Sequence, residues 1–202
     1  MSEPKTSLKL NRHGETIRRK VTLCGTRPIM FDRYAGDNDT KLEPDQKLYL
    51  DPSSRAIGLP AANIMSFLTA HNTNSAPKRL RDKRKYKDIC NACLSFVQLD
   101  GDFFSFTRDD KPIVFGSFVQ DKDSTSGCFV RREVARLDKG IPNPKVRPVL
   151  PLPWSLTFGL TILPNKEIQE QEIVNLFVDG GAAIGLGTFR GLFGKFEVVD
   201  WT

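Results

Sequence analysis

The chain has 202 residues, 39% hydrophobic and 27% charged, with 30 Lys and Arg against 24 Asp and Glu for a formal net charge of +6. Those values suit a globular protein of one domain, or one domain with a large insertion. No apolar run reaches the ~20 residues of a membrane span, and the start Met1-Ser-Glu-Pro-Lys-Thr lacks the apolar core of a signal peptide. The expectation is a soluble, cytoplasmic protein.

Residues 1–14 are polar and read as a flexible leader. Thr16–Cys24 alternates as a strand, and Asp32–Gln46, rich in Asp, Gly, Asn and Pro, reads as a long loop. Lys47–Leu50 suggests a short strand. Gly58–Leu68 predicts a helix with Pro60 in its first turn. A longer helix is expected from about Lys78 to Leu99, basic at first and then apolar on one face through Ile89, Cys90, Cys93, Leu94 and Phe96. Phe103–Thr107 and Pro112–Phe118 read as strands joined by a turn at Asp109–Lys111, and Gly127–Arg136 as a strand with basic residues. Asp138–Pro148, with three prolines among Lys139, Lys145 and Arg147, reads as the tip of a protruding hairpin or arm. Ser155–Leu163 is the clearest strand, Lys166–Val178 a helix and Lys195–Trp201 a closing strand. This order predicts an α+β fold on a mainly antiparallel sheet.

Between the last helix and last strand, Gly180, Gly181, Gly185, Gly187, Gly191 and Gly194 account for six of the chain's 15 glycines. Exposed backbone N–H groups beside Arg190 and Lys195 would suit a phosphate backbone. The stretch is no Walker loop, since no Gly-Lys-Ser/Thr ends it. It is no dinucleotide fingerprint either, because it follows a helix and precedes a strand. A tight structural connection that binds nothing is the alternative.

Lys78, Arg79, Arg81, Lys83, Arg84, Lys85 and Lys87 put seven cations in ten residues against one acid. Such a block suits nucleic-acid phosphates, although a solvated helix face would look the same. Arg132 and Arg136 would share one strand face, with Arg131 opposed. Tyr86 and Phe189 are candidates for base stacking. Cys90 and Cys93 have the spacing of half a zinc site, but no second tight pair accompanies them, so buried apolar residues are the plainer reading and zinc stays open. His13 and His71 read as surface residues with no nucleophile beside them. No cofactor or metal is indicated.

The helix followed by Gly-Gly, Gly-x-Gly and Arg190-Gly-x-x-Gly-Lys-Phe-Glu-Val198 resembles the glycine-rich signature of the RAMP superfamily. Its members are the ferredoxin-like RNA-binding subunits of CRISPR effector complexes, and the likeness is to their filament-forming backbone subunits. Leu23-Cys-Gly-Thr-Arg-Pro-Ile29 resembles the family's first strand and turn, and Ala56–Leu68 its proline-then-helix segment. Ala61 and Ala62 depart from the serine or glycine pair common there. The resemblance implies a ferredoxin-like (RRM-like) antiparallel sheet with helices on one face, a C-terminal glycine-rich loop and a protruding β-arm. Residues 15–202 would form one such domain, with insertions at about 32–46 (loop), 70–100 (basic, helical) and 120–150 (arm).

The implied function is binding of single-stranded, guide-type RNA by its phosphates, with self-association along the RNA and contact with other effector subunits in antiviral defence. Single-stranded DNA presents the same phosphates and stays open. The binding residues would be Lys78, Arg79, Arg81, Lys83, Arg84, Lys85, Lys87, Arg131, Arg132, Gly185, Gly187, Arg190, Gly191 and Lys195. One alternative is a metal-dependent endoribonuclease, since some family members cut RNA with a loop aspartate after the first strand, and Asp37 or Asp39 matches by location. Another is a structural or interaction subunit that binds no nucleic acid.

Overall fold

The computed structural model describes residues 15–37, 39–70, 76–80, 85–120, 127–136 and 142–202. Its main sheet has the strand order β10 (Phe196–Trp201), β1 (Ile17–Gly25), β9 (Ser155–Ile162), β5 (Phe103–Arg108), β3 (Gly58–Pro60), and every neighbouring pair is antiparallel. β4 (Val97–Leu99) continues the line of β5 along β9, and β6 (Lys111–Pro112) closes a hairpin on β5. The helices are α1 (Ala61–Thr69), α2 (Ala76–Leu80), α3 (Tyr86–Phe96) and α4 (Glu170–Ala183). Counting β4 and β5 as one strand, the order β1, helices, β4/β5, β9, α4, β10 is the β-α-β-β-α-β succession of a ferredoxin-like sheet.

Alternation along the strands decides which face the helices cover. Val21 and Leu23 of β1 lie beside Phe158 and Leu156 of β9, and all four are buried. Phe177 of α4 sits at the centre of that core, with ring centroids 5.8 Å from Phe67, 5.8 Å from Phe158 and 6.0 Å from Trp201. The opposite face is polar and half-exposed: Thr22 and Thr157 hydroxyls meet at 3.0 Å, and the Cys24 thiol meets Ser155 at 3.2 Å. No described helix is long and apolar enough to cross a membrane.

Several expected elements change. The helix expected from Lys78 to Leu99 is α2 and α3 with residues 81–84, outside the described set, between them. It ends at Phe96 because Val97–Leu99 pair with Leu160–Ile162, a tertiary pairing that a β-branched residue favours over another helical turn. The second half of the expected 70–100 insertion is thereby part of the main core, with Cys90, Ala92 and Cys93 buried. Pro60 precedes α1 as its N-cap, and Gly58–Pro60 is a strand. Lys47–Leu50 holds the end of a 3₁₀ turn, Asp45–Lys47, and a bridge from Leu50 to Ile57. From Ile113 to Phe118 the chain is irregular apart from a bridge between Val114 and Ala56.

α4 begins at Glu170 and runs on through Gly180 and Gly181 to Ala183, five residues past the expected end. A Cβ on Gly180 would lie 2.5 Å from Phe67 Cζ, and one on Gly181 2.6 Å from Phe196 Cε2. These two glycines let the helix approach the aromatic core and so belong to packing.

The proline-rich segment is a strand as well. β7 (Phe129–Arg136) and β8 (Pro142–Leu150) form a long hairpin that joins β2 (Ile29–Met30) in a second, three-stranded sheet. Pro142, Pro144 and Pro148 share one parity of β8. The Pro148 carbonyl accepts the Phe31 N–H at 3.0 Å, so residues of this parity turn their backbone toward β2 and away from β7. The missing proline donors therefore cost no β7–β8 hydrogen bond. Counting prolines as breakers hides this.

Candidate nucleic-acid interface

The hairpin has two chemically different faces. Residues 129, 131, 145, 147 and 149 lie on one; residues 130, 132, 134, 144, 146 and 148 lie on the other. The first face packs on the glycine-rich loop. Phe129 and Val149 join Met30 and Phe193 in a small second core. The Arg131 guanidinium lies 5.2 Å from the Phe193 ring centroid, and that of Arg147 lies 5.6 Å from Phe189. Such cation–π contacts gain strength where water is excluded, and Arg147 is only 6% exposed.

Asp32 completes the Arg147 environment. Its Oδ2 accepts from Arg147 Nε at 2.8 Å and is ion-paired with Nη2 at 2.8 Å. Lys47 Nζ lies 4.0 Å from Asp32 Oδ1 and donates to the Val146 carbonyl at 2.6 Å. Arg147 Nη1 is buried without a hydrogen-bond partner among the described residues, and the Phe189 ring beside the guanidinium supplies electrostatic compensation. These contacts lash the 32–47 loop to β8.

Between that loop and the hairpin runs a groove of about 920 Å³, near the top of the roughly 300–1,000 Å³ range of ligand clefts. Arg33, Tyr34, Lys41, Lys47, Arg132 and Lys145 line it, with Asp32, Asp37 and Glu43 as its acids. Asp32 is engaged by Arg147 and Lys47. Asp37 faces inward on its own turn: Oδ1 accepts from the N–H groups of Asp39 and Thr40 at 2.8 and 2.6 Å, and Oδ2 from the Thr40 hydroxyl at 2.8 Å. The Thr40 backbone bond is the chief reason that its carboxyl is held below the usual carboxylate range. Arg33, Lys41 and Arg132 are exposed and make no ion pair among the described residues. The groove thus presents positive charge that its own carboxylates do not neutralise.

The glycine-rich loop is organised differently from the expected nest of outward N–H donors. Gly185 donates to the Gly180 carbonyl, Leu186 to Gly194, Thr188 to Met30, Gly191 to Ile184 and Gly194 to Pro28, all at 2.8–3.0 Å. Most of its donors therefore point into the protein. What remains outside is a hollow of about 490 Å³ lined by residues 187–192, including Gly187, Arg190 and Gly191. Lys195 closes the loop, its carbonyl accepting the N–H groups of Thr26 and Arg27 at 2.8 and 3.2 Å.

The expected site residues are thus distributed over separate places. Arg132 lines the groove, while Arg131 stacks on the glycine-rich loop. Lys85 and Lys87 are exposed at the start of α3, and Lys78 and Arg79 belong to α2. Arg81, Lys83, Arg84, His13 and His71 lie outside the described residues. Phe189 lies against Arg147, and Tyr86 is half-buried. Asp37 lines the groove, Asp39 donates its backbone N–H to the Asp37 carboxylate, and no group of three or more potential metal ligands occurs among the described residues. Cys90 and Cys93 are buried, and burial pushes both thiols up, Cys93 to about 12.

Arg33, Tyr34, Lys41, Lys47 and Lys145 escaped selection from the sequence. The one available signal was the mixture of cations and an aromatic residue in a loop otherwise marked by its acids.

No protein-family model matches the chain, and no curated protein matches it as a relative. Solved structures do resemble it. One is a chain from the cryo-electron microscopy structure of the Type III-B Cmr-beta bound to cognate target RNA, with a TM-score of 0.56 and 12% sequence identity over 93% of this chain. The present chain covers 60% of that chain's length. The likeness is one of fold: an α+β architecture on an antiparallel sheet, shared with a subunit of the Cmr-beta assembly and compatible with a RAMP-type fold.

Proposed function

We propose that this chain is an RNA-binding subunit of a CRISPR-type ribonucleoprotein. It holds single-stranded, guide-type RNA by the phosphate backbone and assembles with further copies and other effector subunits along it. The groove between the 32–47 loop and the β7–β8 hairpin carries this reading, because it presents Arg33, Lys41 and Arg132 uncompensated. Phosphate contacts of this kind bind without reading sequence. The fold likeness to a chain from an RNA-bound Cmr-beta structure supports the same reading. Lys78, Arg79, Lys85 and Lys87 on α2 and α3, with Arg81, Lys83 and Arg84 between them, would extend the contact, as would Arg190 beside the glycine-rich loop.

The test is size-exclusion chromatography with light scattering and absorbance at two wavelengths, on protein purified without nuclease. A large species rich in nucleic acid that collapses with RNase and survives DNase is expected. A monomer or dimer free of nucleic acid would overturn the proposal. Collapse with DNase alone would reassign the strand to DNA.

A second reading, metal-dependent RNA cleavage, is favoured by one observation: Asp37 lies on the groove wall. The three hydrogen bonds that its carboxylate accepts within residues 37–40 favour a loop-capping role instead. Replacing Asp37 and Asp39 together by Asn would abolish cutting and spare binding if the aspartates act in catalysis.

A further inference from the structure

Tyr34 is 62% exposed, and no other aromatic residue stands among the large exposed apolar side chains of the described residues. It lines the groove directly after Arg33 and across from Arg132 on the hairpin. The other aromatic residues near the charged surfaces are less exposed: Phe189 and Tyr86 are half-buried, and Phe193 is buried.

Exposing an aromatic ring to water forgoes the burial that such a side chain normally gains. A ring set among cations, with room beside it, has the chemistry of single-strand recognition: a π face takes a base while neighbouring Arg and Lys take the flanking phosphates. Double-stranded nucleic acid offers no free base faces along its length, so such a ring gains nothing from a duplex.

We propose that Tyr34 is the stacking platform of the groove, holding one unpaired base of a single-stranded RNA while Arg33 and Arg132 contact the phosphates on either side. The proposal rests on the reading of the groove as the RNA interface and adds to it a single aromatic contact that separates single strands from duplex.

The experiment measures binding of a fluorescein-labelled oligouridine, and of an RNA duplex of equal length, by anisotropy across a salt series. The proteins are the full chain, Tyr34→Ala, Tyr34→Phe and the double variant Arg33→Ala/Arg132→Ala, each checked for a native melting profile. Tyr34→Ala should weaken single-strand binding roughly 5- to 100-fold, the usual loss for a stacked base. Tyr34→Phe should stay within about twofold, because the ring is kept. Duplex binding should not change in either. The slope of log affinity against log salt should be unchanged in Tyr34→Ala and shallower by about 0.7 per lost phosphate contact in the double variant.

If the double variant loses affinity and salt slope while Tyr34→Ala binds normally, the stacking proposal is wrong and the groove reading stands. If Tyr34→Phe is as weak as Tyr34→Ala, the hydroxyl acts and stacking is overturned. If neither Tyr34→Ala nor the double variant changes binding, the groove is not the interface and both ideas fall.

Discussion

Arg147 and Asp32 stand 115 positions apart and meet through two contacts of 2.8 Å, one from Nε and one from Nη2 to the same carboxylate oxygen. This pair ties the loop after β2, which forms one wall of the groove, to the hairpin. Asp32→Ala would leave a buried guanidinium without its counter-charge. Breaking such a pair from one side typically costs 3–5 kcal/mol, and the partial exposure of Asp32 brings the expectation to about 2–3 kcal/mol. Arg147→Met in the Asp32→Ala background should recover part of the loss. Urea unfolding of both variants checks this, and a double variant less stable than the single one would contradict it.

The glycine-rich loop permits a paired comparison. Gly194 has φ +70°, and a Cβ there would overlap the Leu186 carbonyl oxygen. Gly191 has φ +105°, with nothing within 4 Å of the same atom. Gly191→Ala should cost about 1–2 kcal/mol from backbone strain alone. Gly194→Ala should cost about 2–5 kcal/mol, because overpacking adds to strain. Thermal melts in parallel decide, and equal losses would mean that the carbonyl moves aside freely.

Glu170, 2% exposed at the start of α4, accepts from Arg19 Nε at 2.6 Å and from Trp201 Nε1 at 2.8 Å. It thereby joins β1, α4 and β10. Glu170→Ala should destabilise by about 2–4 kcal/mol, since both donors lose a buried acceptor. Glu170→Gln keeps one carbonyl oxygen and should lose less. Chemical denaturation of the two variants side by side is the measurement, and equal losses would argue against the hydrogen bonds as the cause.

Burial pushes the Cys93 and Cys128 thiols up from 9.0 to about 12. A folded value above the unfolded one means that the unfolded chain ionises first as pH rises. The stability these thiols contribute is complete below pH 9.0 and is lost progressively between 9.0 and about 12. Urea midpoints should therefore fall across that window, and replacing both cysteines by Ala should flatten the fall. In the native state near pH ~8, a thiol reagent should modify Cys24 first, since the other three cysteines are buried. Rapid modification of Cys93 would contradict its burial.

Much of the fold follows from local pattern. β1, β9 and β10 fall within a residue or two of their alternating segments, because each has one face on a core and one on solvent. α3 and β8 were harder for opposite reasons. Val97 leaves its helix for a partner 65 positions away, Ile162, and the prolines of β8 are harmless only because β2 and β7 lie on opposite sides of it. The site was least legible. Positive charge was readable in Arg132 and Lys85, but the groove lies between two segments far apart in sequence, joined by contacts such as Asp32–Arg147 and Lys47–Val146. The glycines announced a loop, yet nothing local tells whether N–H groups point outward to phosphate or inward to carbonyls such as those of Met30 and Pro28.

The prolines of β8 have one more effect. At the far end of β8, Pro142 and Pro144 turn carbonyl oxygens, and no N–H groups, to the margin of the hairpin not paired to β7. An incoming strand from another molecule would find acceptors and too few donors to zip up a continuous ladder. Two copies brought together would therefore keep their hairpins as separate blades, and the same feature guards the chain against fibre-like aggregation.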